Sequence, residues 1–219
     1  KCLAGLVDGE IEQVRHHDYV LTPEQKLDQQ FLTCCHRPLS DLVLEMHELD
    51  TVQEIPYQEI VVKVSKTDLF VDDVMHLQLR ASRSQVLDFL AGQKVQLYLK
   101  DGSRISLGIS SCPCDGLNLR FHVRNSGGEF CRKVFPQLKK GEKILIKGPS
   151  GDFTLNEASD APLIFIAWDT GFAQVQSIID HVISESAERN IRFFWLSDRV
   201  HYYENYCRAW DDVLDDFHY

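Results

Sequence analysis

The sequence predicts an α+β chain built from three successive segments, and three observations lead to this prediction. Residues 56–156 contain six short stretches in which apolar and polar side chains alternate, as in a small antiparallel barrel. Residues 160–219 change to a strand–helix–strand–helix order, which indicates parallel βαβ units. Residues 1–50 form the remaining segment, and a polar linker at residues 48–56 separates them from the barrel.

The first two segments carry clear local signals. In the first, Thr22 is a good helix N-cap and Pro23 suits the first helical position. In the second, the Asp101-Gly102 pair is typical of a hairpin turn. A helix is expected at residues 129–138, and the six barrel strands are expected at residues 59–64, 74–79, 95–99, 104–109, 117–123 and 143–146.

The third segment begins after Pro162 with a continuous apolar run at residues 163–167, which is typical of a strand buried on both faces. A second such strand is expected at residues 191–196, and a third begins at 217–219. Helices are expected at 172–188 and 202–212. Because α/β domains of this kind normally have more strands, we expect this one to be incomplete.

Composition limits the classes of function. The 219 residues are 44% hydrophobic, which is enough to fill real cores. The net charge of −10 argues against nucleic-acid binding, because phosphate partners require a basic surface. An acidic surface can dock a basic redox partner, although most acidic proteins are simply soluble. No stretch approaches the ~18 apolar residues of a transmembrane segment.

The seven cysteines are odd in number, and their spacing is not that of a small disulfide scaffold. This pattern predicts a reducing, cytoplasmic location, with thiols free or bound to metal. Cys112 and Cys114 form a Cys-x-Cys pair on a predicted loop. Two thiolates at that spacing can bind a metal, but the lack of a second pair argues against a metal site there.

The ends of the first segment resemble a plant-type [2Fe-2S] ferredoxin domain. Cys34 lies in a Leu-x-Cys-x-x-Arg-Pro-x-x-Asp run, where such domains carry their last cluster ligand. Cys2 precedes a Gly-Glu-Ile turn, in the manner of the third ligand. The resemblance implies that Cys2 and Cys34 bind the cluster and lie close together. The first two ligands of a Cys-x4-Cys-x2-Cys run would lie before residue 1.

Five further signatures, at residues 90–95, 122–124, 127–131, 148–153 and 169–173, occur in the order found in ferredoxin–NADP reductases. The chain is similar to bacterial members of that family in which a [2Fe-2S] ferredoxin is fused to the flavin module. The resemblance implies a ferredoxin fragment over 1–50, a six-stranded FAD-binding-type barrel over 56–156 and an incomplete NAD(P)-binding-type α/β domain over 160–219. It implies electron transfer from NAD(P)H through FAD and the cluster to a partner protein such as an oxygenase.

The resemblance also implies a set of cofactor-binding residues, although it assigns no catalytic residue. Arg124 and the amides near Gly127 are expected to carry the flavin pyrophosphate. The full set is Arg104, Ser106, Leu107, His122, Val123, Arg124, Gly127, Gly128, Phe130, Cys131, Thr170 and Gly171.

The flavin motif departs from the family pattern. Relatives carry Arg-x-Tyr-Ser before the Ile-Ala-Ser-x-Pro turn, and here those positions are Ile105, Leu107 and Gly108. Arg104 stands one place away, and on a strand a one-residue shift reverses the face. Cys131 replaces the usual serine and is a weaker hydrogen-bond donor.

The nicotinamide motif departs as well. Trp168 and Asp169 replace glycines that let a dinucleotide approach the backbone. We expect Trp168 to pack into the vacated space and Asp169 to repel phosphate. These departures favour an alternative, a degenerate pseudo-reductase that acts as a structural or interaction subunit of a larger complex. Cys2 and Cys34 favour retained redox chemistry, and the order of the motifs leads us to prefer the reductase.

Overall fold

The structure is a computed structural model that describes residues 3–17, 20–45, 55–185 and 189–219. The chain divides into two compact units, Lys1–Glu54 and Ile55–Tyr219. Each unit is described by itself below.

The N-terminal unit contains two small antiparallel sheets and one short helix. One sheet has the strand order β3-β1-β5, and the other pairs β2 with β4. The helix starts as predicted, because Thr22 and Gln25 form a reciprocal capping box. The elements are β1 (Leu3–Asp8), β2 (Ile11–Gln13), α1 (Pro23–Leu27), β3 (Gln30–Leu32), β4 (His36–Pro38) and β5 (Val43–Glu45).

The second unit begins with the predicted barrel, and all six expected strands are present. The antiparallel order is β10-β7-β6-β11-β8-β9. A helix, α2 (Glu129–Gln137), lies between the fifth and sixth strands. The strands are β6 (Gln58–Val71), β7 (Val74–Arg80), β8 (Lys94–Tyr98), β9 (Arg104–Gly108), β10 (Asn118–Arg124) and β11 (Lys143–Ser150).

The barrel is nearly closed around an apolar core. The two outer strands, β9 and β10, approach each other, and the amide of Ser110 donates to the carbonyl oxygen of Arg120 at 2.8 Å just beyond β9. Alternate residues of the strands point inward, as the period-two pattern requires. Fully buried core residues come from several of the strands, among them Val62, Leu77, Leu97, Phe121 and Ile144.

The rest of the second unit is a parallel sheet with two helices, as predicted. The strand order is β12-β13-β14, with strands β12 (Leu163–Trp168), β13 (Ile191–Leu196) and β14 (Phe217–His218). The helices are α3 (Phe172–Ser184) and α4 (Glu204–Val213). One sheet face, carrying Phe165 and Phe193, shares a core cluster with apolar residues of both helices.

The other face of this sheet is exposed, which corrects the expectation for Trp168. Its side chain is 62% exposed rather than packed in the core. The strands alternate sides, so Trp168 lies on the same face as the exposed Ile164, Ile166 and Phe194. The apolar runs in the sequence predicted burial on both faces, whereas α3 and α4 cover only one. None of the described helices has the length and apolar character that a membrane crossing needs.

Candidate functional site

A concave pocket of about 360 Å³ lies on the barrel between the start of β9 and the start of α2. Four of the predicted cofactor-binding residues meet there: Arg104, Gly128, Phe130 and Cys131. The other lining residues, which sequence reasoning missed, are Gly102, Ser103, Ile105, Ser126 and Glu129. The sequence did carry a signal for Gly102, because the Asp101-Gly102 turn determines where β9 begins.

The start of α2 gives the pocket unsatisfied amide donors. Gly128 is the N-cap and has no side chain, and among the described residues no side-chain hydrogen bond caps this helix end. The first N–H groups of any helix lack intrahelical partners, and together with the helix dipole they favour anions. Gly127 adopts a φ of 72°, and a side chain there would meet no atom within 4 Å, so the approach is open. This helix end can therefore hold a phosphate.

Strand β9 contributes Arg104 to the lining of the same pocket. Arg104 and Ser106 are exposed, whereas Ile105 and Leu107 pack against the barrel core. The Arg104 guanidinium lies 6.0 Å from the ring centre of Tyr98, and its Nη1 donates to the Tyr98 hydroxyl at 3.4 Å. The two positions that match the family's arginine and tyrosine, Ile105 and Leu107, thus pack against the core, and the arginine that lines the pocket is Arg104.

Arg124, in contrast, is held in an ion-pair network. Its Nε and Nη2 both donate to the Asp169 carboxylate at 2.5 Å, and its Nη1 donates to Asp73 at 2.5 Å. Arg199 also donates to Asp73. Burial lowers the pKa of Arg124, but the hydrogen bonds and charges of Asp169 and Asp73 outweigh it and raise that pKa above its usual value. These contacts use three of the five guanidinium N–H groups, and the two carboxylates compensate the positive charge that would otherwise attract a phosphate group.

Two neighbours of Arg124 on β10 are also turned away from any open surface. Val123 is fully buried in the barrel core. His122 is 2% exposed, and its Nδ1 shares a 2.9 Å hydrogen bond with the Tyr202 hydroxyl. Desolvation holds the pKa of His122 well below its usual value, so this imidazole is neutral. His122 therefore joins the barrel to the parallel-sheet region, Val123 packs inside the barrel, and neither lines the pocket.

The turn after β12, where the resemblance implied a nicotinamide cofactor, is held by hydrogen bonds to its own backbone. Residues Asp169–Gly171 form a 3-10 turn, and the Phe172 amide donates to the carbonyls of Asp169 and Thr170. Trp195 Nε1 donates to the same Asp169 carbonyl at 2.8 Å. The Asp169 carboxylate faces Arg124, so its charge is neutralised instead of standing free to repel a phosphate. At Gly171 an added side chain would meet no atom within 4 Å.

The surface over the end of β9 is occupied as well. A Cβ added at Gly108 would overlap the Cγ of Gln174, which lies on α3. The Gln174 amide donates to the carbonyl oxygen of Gly92 and is held in that position. An aromatic ring could lie over Leu107 and Gly108 only after Gln174 moved.

In the N-terminal unit, Cys34 lies in a 3-10 turn, Thr33–Cys35, with an exposed thiol. Its Sγ lies 3.8 Å from the Sγ of the buried Cys35. Cys2 lies outside the described residues, as does its expected approach to Cys34. Within the described part of the chain, no group of three or more potential metal ligands comes together. Cys34 is therefore a fitting thiolate ligand, but the described residues do not form a cluster site by themselves.

The cysteine prediction needs a correction at one place. Cys112 and Cys114 form a disulfide with Cα atoms 5.2 Å apart, whereas thiols that were free or metal-bound were expected. The local reason is the 3-10 turn Pro113–Asp115, which folds Cys114 back so that its amide donates to Cys112 Sγ at 3.2 Å. Sequence spacing alone could not show that turn.

The residues present fit part of a flavin dinucleotide. The pocket at α2 offers amide donors and the Arg104 cation, which suit a pyrophosphate. The space beside Gly108 is filled by Gln174, and the turn after β12 is internally bonded. The structure therefore shows a pocket suited to an anion, with Gln174 covering the neighbouring end of β9.

Comparison of the chain with known proteins finds several reductases among its relatives. No protein-family model matches the chain. It is 29% identical over its full length to the CDP-6-deoxy-L-threo-D-glycero-4-hexulose-3-dehydrase reductase of Yersinia pestis, covering 66% of that protein. It is 33% identical over 86% of its length to protein RfbI of Salmonella typhimurium, covering 57% of it. Reductase component 1 of the terephthalate 1,2-dioxygenase of Comamonas sp is 27% identical over 89% of the chain, which covers 57% of that component.

Solved structures with low sequence identity show the same fold. The cytochrome P450 reductase GcoB of Amycolatopsis superposes with a TM-score of 0.68 over 99% of this chain and 67% of its own, at 21% identity. Phthalate dioxygenase reductase, described as a modular structure for electron transfer from pyridine nucleotides to [2Fe-2S], gives 0.61 over 74% of this chain and 51% of its own, at 17% identity. The chain spans between 57% and 66% of the length of the three sequence relatives.

Proposed function

We propose that the chain belongs to the ferredoxin–NADP reductase-like family of flavoproteins fused to a [2Fe-2S] ferredoxin, and that the whole protein is an electron-transfer reductase. It takes electrons from NAD(P)H and passes them through FAD and a [2Fe-2S] cluster to a partner protein such as an oxygenase. The names of the relatives support this, because two are reductases that serve a dehydrase or a dioxygenase. FAD accepts two electrons and releases them singly, and the cluster carries one at a time.

The pocket at the start of α2 is the observation that carries this proposal. It combines uncapped helix amides at Gly128 with the Arg104 guanidinium, and both suit the pyrophosphate of FAD. We assign the phosphate-binding role to Arg104 and these amides. Arg124 is a positioning residue, since its ion pair with Asp169 ties β10 to the turn after β12.

The cluster and partner assignments rest on the N-terminal unit and on charge. The exposed thiol of Cys34 is one proposed ligand, and Cys2 is another. The net charge of −10 suits a partner protein with a basic docking face and argues against nucleic acid. A cytoplasmic location is proposed from a cysteine spacing unlike that of secreted disulfide scaffolds.

A flavin titration of the full-length protein tests the role of the pocket. Arg104→Ala should weaken FAD binding by about 5–10-fold, because it removes one charged hydrogen-bond donor at a partly exposed site. Arg80→Ala is the matched control, because Arg80 is also an exposed arginine at the end of a barrel strand but does not line the pocket. Equal affinities for the two variants would rule out the phosphate role of Arg104.

The pseudo-reductase alternative is favoured by two observations, the Arg124–Asp169 pair and the Gln174 side chain over Gly108. Both close surfaces that cofactors would have to use. Anaerobic addition of NADH or NADPH to the FAD-loaded protein separates the two functions. Bleaching of the flavin absorption near its visible maximum supports the reductase, and tight FAD binding without any bleaching supports the interaction subunit.

A further inference from the structure

The disulfide between Cys112 and Cys114 lies beside a histidine and a carboxylate that no proposed cofactor uses. Cys112 is 4% exposed, whereas Cys114 is exposed. His181, on α3, has its Nδ1 3.8 Å from Cys112 Sγ, and its Nε2 lies 3.2 Å from Glu157 Oε1. A sulfur, an imidazole and a carboxylate thus lie in a row, with the second sulfur open to solvent.

We propose that this disulfide is a thiol–disulfide exchange site whose substrate is a small thiol of the glutathione class. The incoming thiolate attacks Cys114, because that sulfur is the exposed one. A bond forms between the two sulfurs, the Cys112–Cys114 bond breaks, and Cys112 leaves as a thiolate. A second small thiolate then attacks the small-thiol sulfur of this mixed disulfide; a bond forms between the two small-thiol sulfurs, the bond to Cys114 breaks, and Cys114 leaves as a thiolate. Overall, two thiols are oxidised to their disulfide, and the Cys112–Cys114 disulfide is reduced to two thiols.

The surroundings of Cys112 suit a leaving group. The backbone N–H of Cys114 donates to Cys112 Sγ at 3.2 Å. The two ring nitrogens of His181 face different partners, Nε2 towards Glu157 and Nδ1 towards Cys112, so an Nδ1 proton can pass to the departing thiolate. A nearby imidazolium stabilises a thiolate, and a better leaving thiolate speeds exchange.

Ser184 is a neighbour rather than a third donor to this sulfur. Its Oγ lies 3.6 Å from Cys112 Sγ, but its hydroxyl donates to the His181 carbonyl at 2.8 Å. Proton delivery to Cys112 is therefore assigned to His181 alone.

A purely structural role explains this disulfide poorly. It links residues only two apart in sequence. In the loop-closure model, the shortest loops gain the least stabilisation from a cross-link. The pairing of one buried and one exposed sulfur, with His181 on the buried one, is the arrangement that exchange requires.

The first test measures reduction kinetics in the folded, full-length protein. After timed incubation with glutathione, alkylation and tryptic digestion give the peptide of residues 105–120, which contains both cysteines and no other. His181→Asn should slow the reduction by about tenfold or more, whereas the exposed His218→Asn should stay within about twofold of the unmodified protein. Both variants keep both cysteines, so the comparison does not depend on how serine variants fold.

The second test uses the asymmetry of the two sulfurs. In Cys112→Ser, oxidised glutathione should form a stable mixed disulfide on the exposed Cys114. In Cys114→Ser, the buried Cys112 should be modified at least about tenfold more slowly. Three results would each overturn the proposal: a disulfide reduced only when the protein unfolds, equal rates for His181→Asn and His218→Asn, or equal modification of Cys112 and Cys114.

Discussion

Replacing Arg124 with methionine tests whether this arginine stabilises the fold instead of binding phosphate. The side chains of Arg124 and Asp169 are 14% and 17% exposed, and that of Asp73 is 33% exposed. Removing one partner of a buried ion pair costs about 3–5 kcal/mol, because the other charge is left unpaired. Asp73 keeps Arg199, and all three groups touch solvent, so we expect a smaller loss of about 2–3 kcal/mol in the free energy of unfolding.

The double variant Arg124→Met with Asp169→Asn sharpens this prediction. It removes the stranded carboxylate, so it should be more stable than the sum of the single effects by about 1 kcal/mol or more. Urea unfolding at pH 7, followed by tryptophan fluorescence, measures each value. Trp195 is a local reporter, since its indole donates to the Asp169 carbonyl. A loss below about 0.5 kcal/mol for Arg124→Met, with FAD binding weakened as much as by Arg104→Ala, would refute the reasoning.

The same network has a defined pH dependence. Burial raises the pKa of Asp73, but hydrogen bonds and charges from Arg124 and Arg199 outweigh it and hold that pKa below its model-peptide value of 3.8. A carboxyl whose pKa is lower in the folded state contributes stability above the unfolded value and loses it as the pH falls through the folded value. The cost of Arg124→Met should therefore shrink when the unfolding series is repeated below pH 4.

Two further changes test the packing around α3. Burial raises the pKa of Asp180 to about 6, and the opposing effects of Arg120, Tyr206 and Gln176 are weaker. Because this pKa is higher in the folded state, the contribution of Asp180 to stability is fully present below about pH 4 and is lost as the pH rises through 6. Asp180→Asn should then raise the free energy of unfolding by about 1–3 kcal/mol at pH 8 and change it little at pH 4, as measured by urea unfolding. Gly108→Ala should destabilise the fold by about 1–3 kcal/mol, because the new methyl group overlaps Gln174, and Gln174→Ala in the same chain should restore most of the loss. A urea unfolding midpoint that Gly108→Ala leaves unchanged would show that the Gln174 side chain does not contact Gly108 at the end of β9.

Much of the fold could be predicted because its signals are local. The alternation along β6–β11 requires only that one side of each strand face a core, and neighbouring residues reveal it. The start of α1 followed from Thr22 and Pro23 for the same reason, since a cap involves residues three apart. The similarity to reductases was likewise readable from the order of short motifs along the chain.

The candidate site was only partly predictable, because its residues are sorted by contacts between distant parts of the chain. Sequence reasoning chose Arg124 for the phosphate and doubted Arg104. In the structure Arg124 is hydrogen-bonded to Asp73 and Asp169, which lie 51 and 45 residues away from it in sequence. No local pattern carries that information.

The sequence by itself determined the six-stranded barrel, the parallel sheet, the helices that alternate with its strands and the similarity to reductases. Only the tertiary structure decided which sheet face the helices leave open at Trp168, which arginine remains at the pocket and which histidine lies beside Cys112. The physical reason is that the strand and helix patterns depend only on whether each residue along the chain is apolar and buried or polar and exposed. Ion pairs, exposed faces and thiol environments depend instead on which side chains folding brings within a few Å of each other.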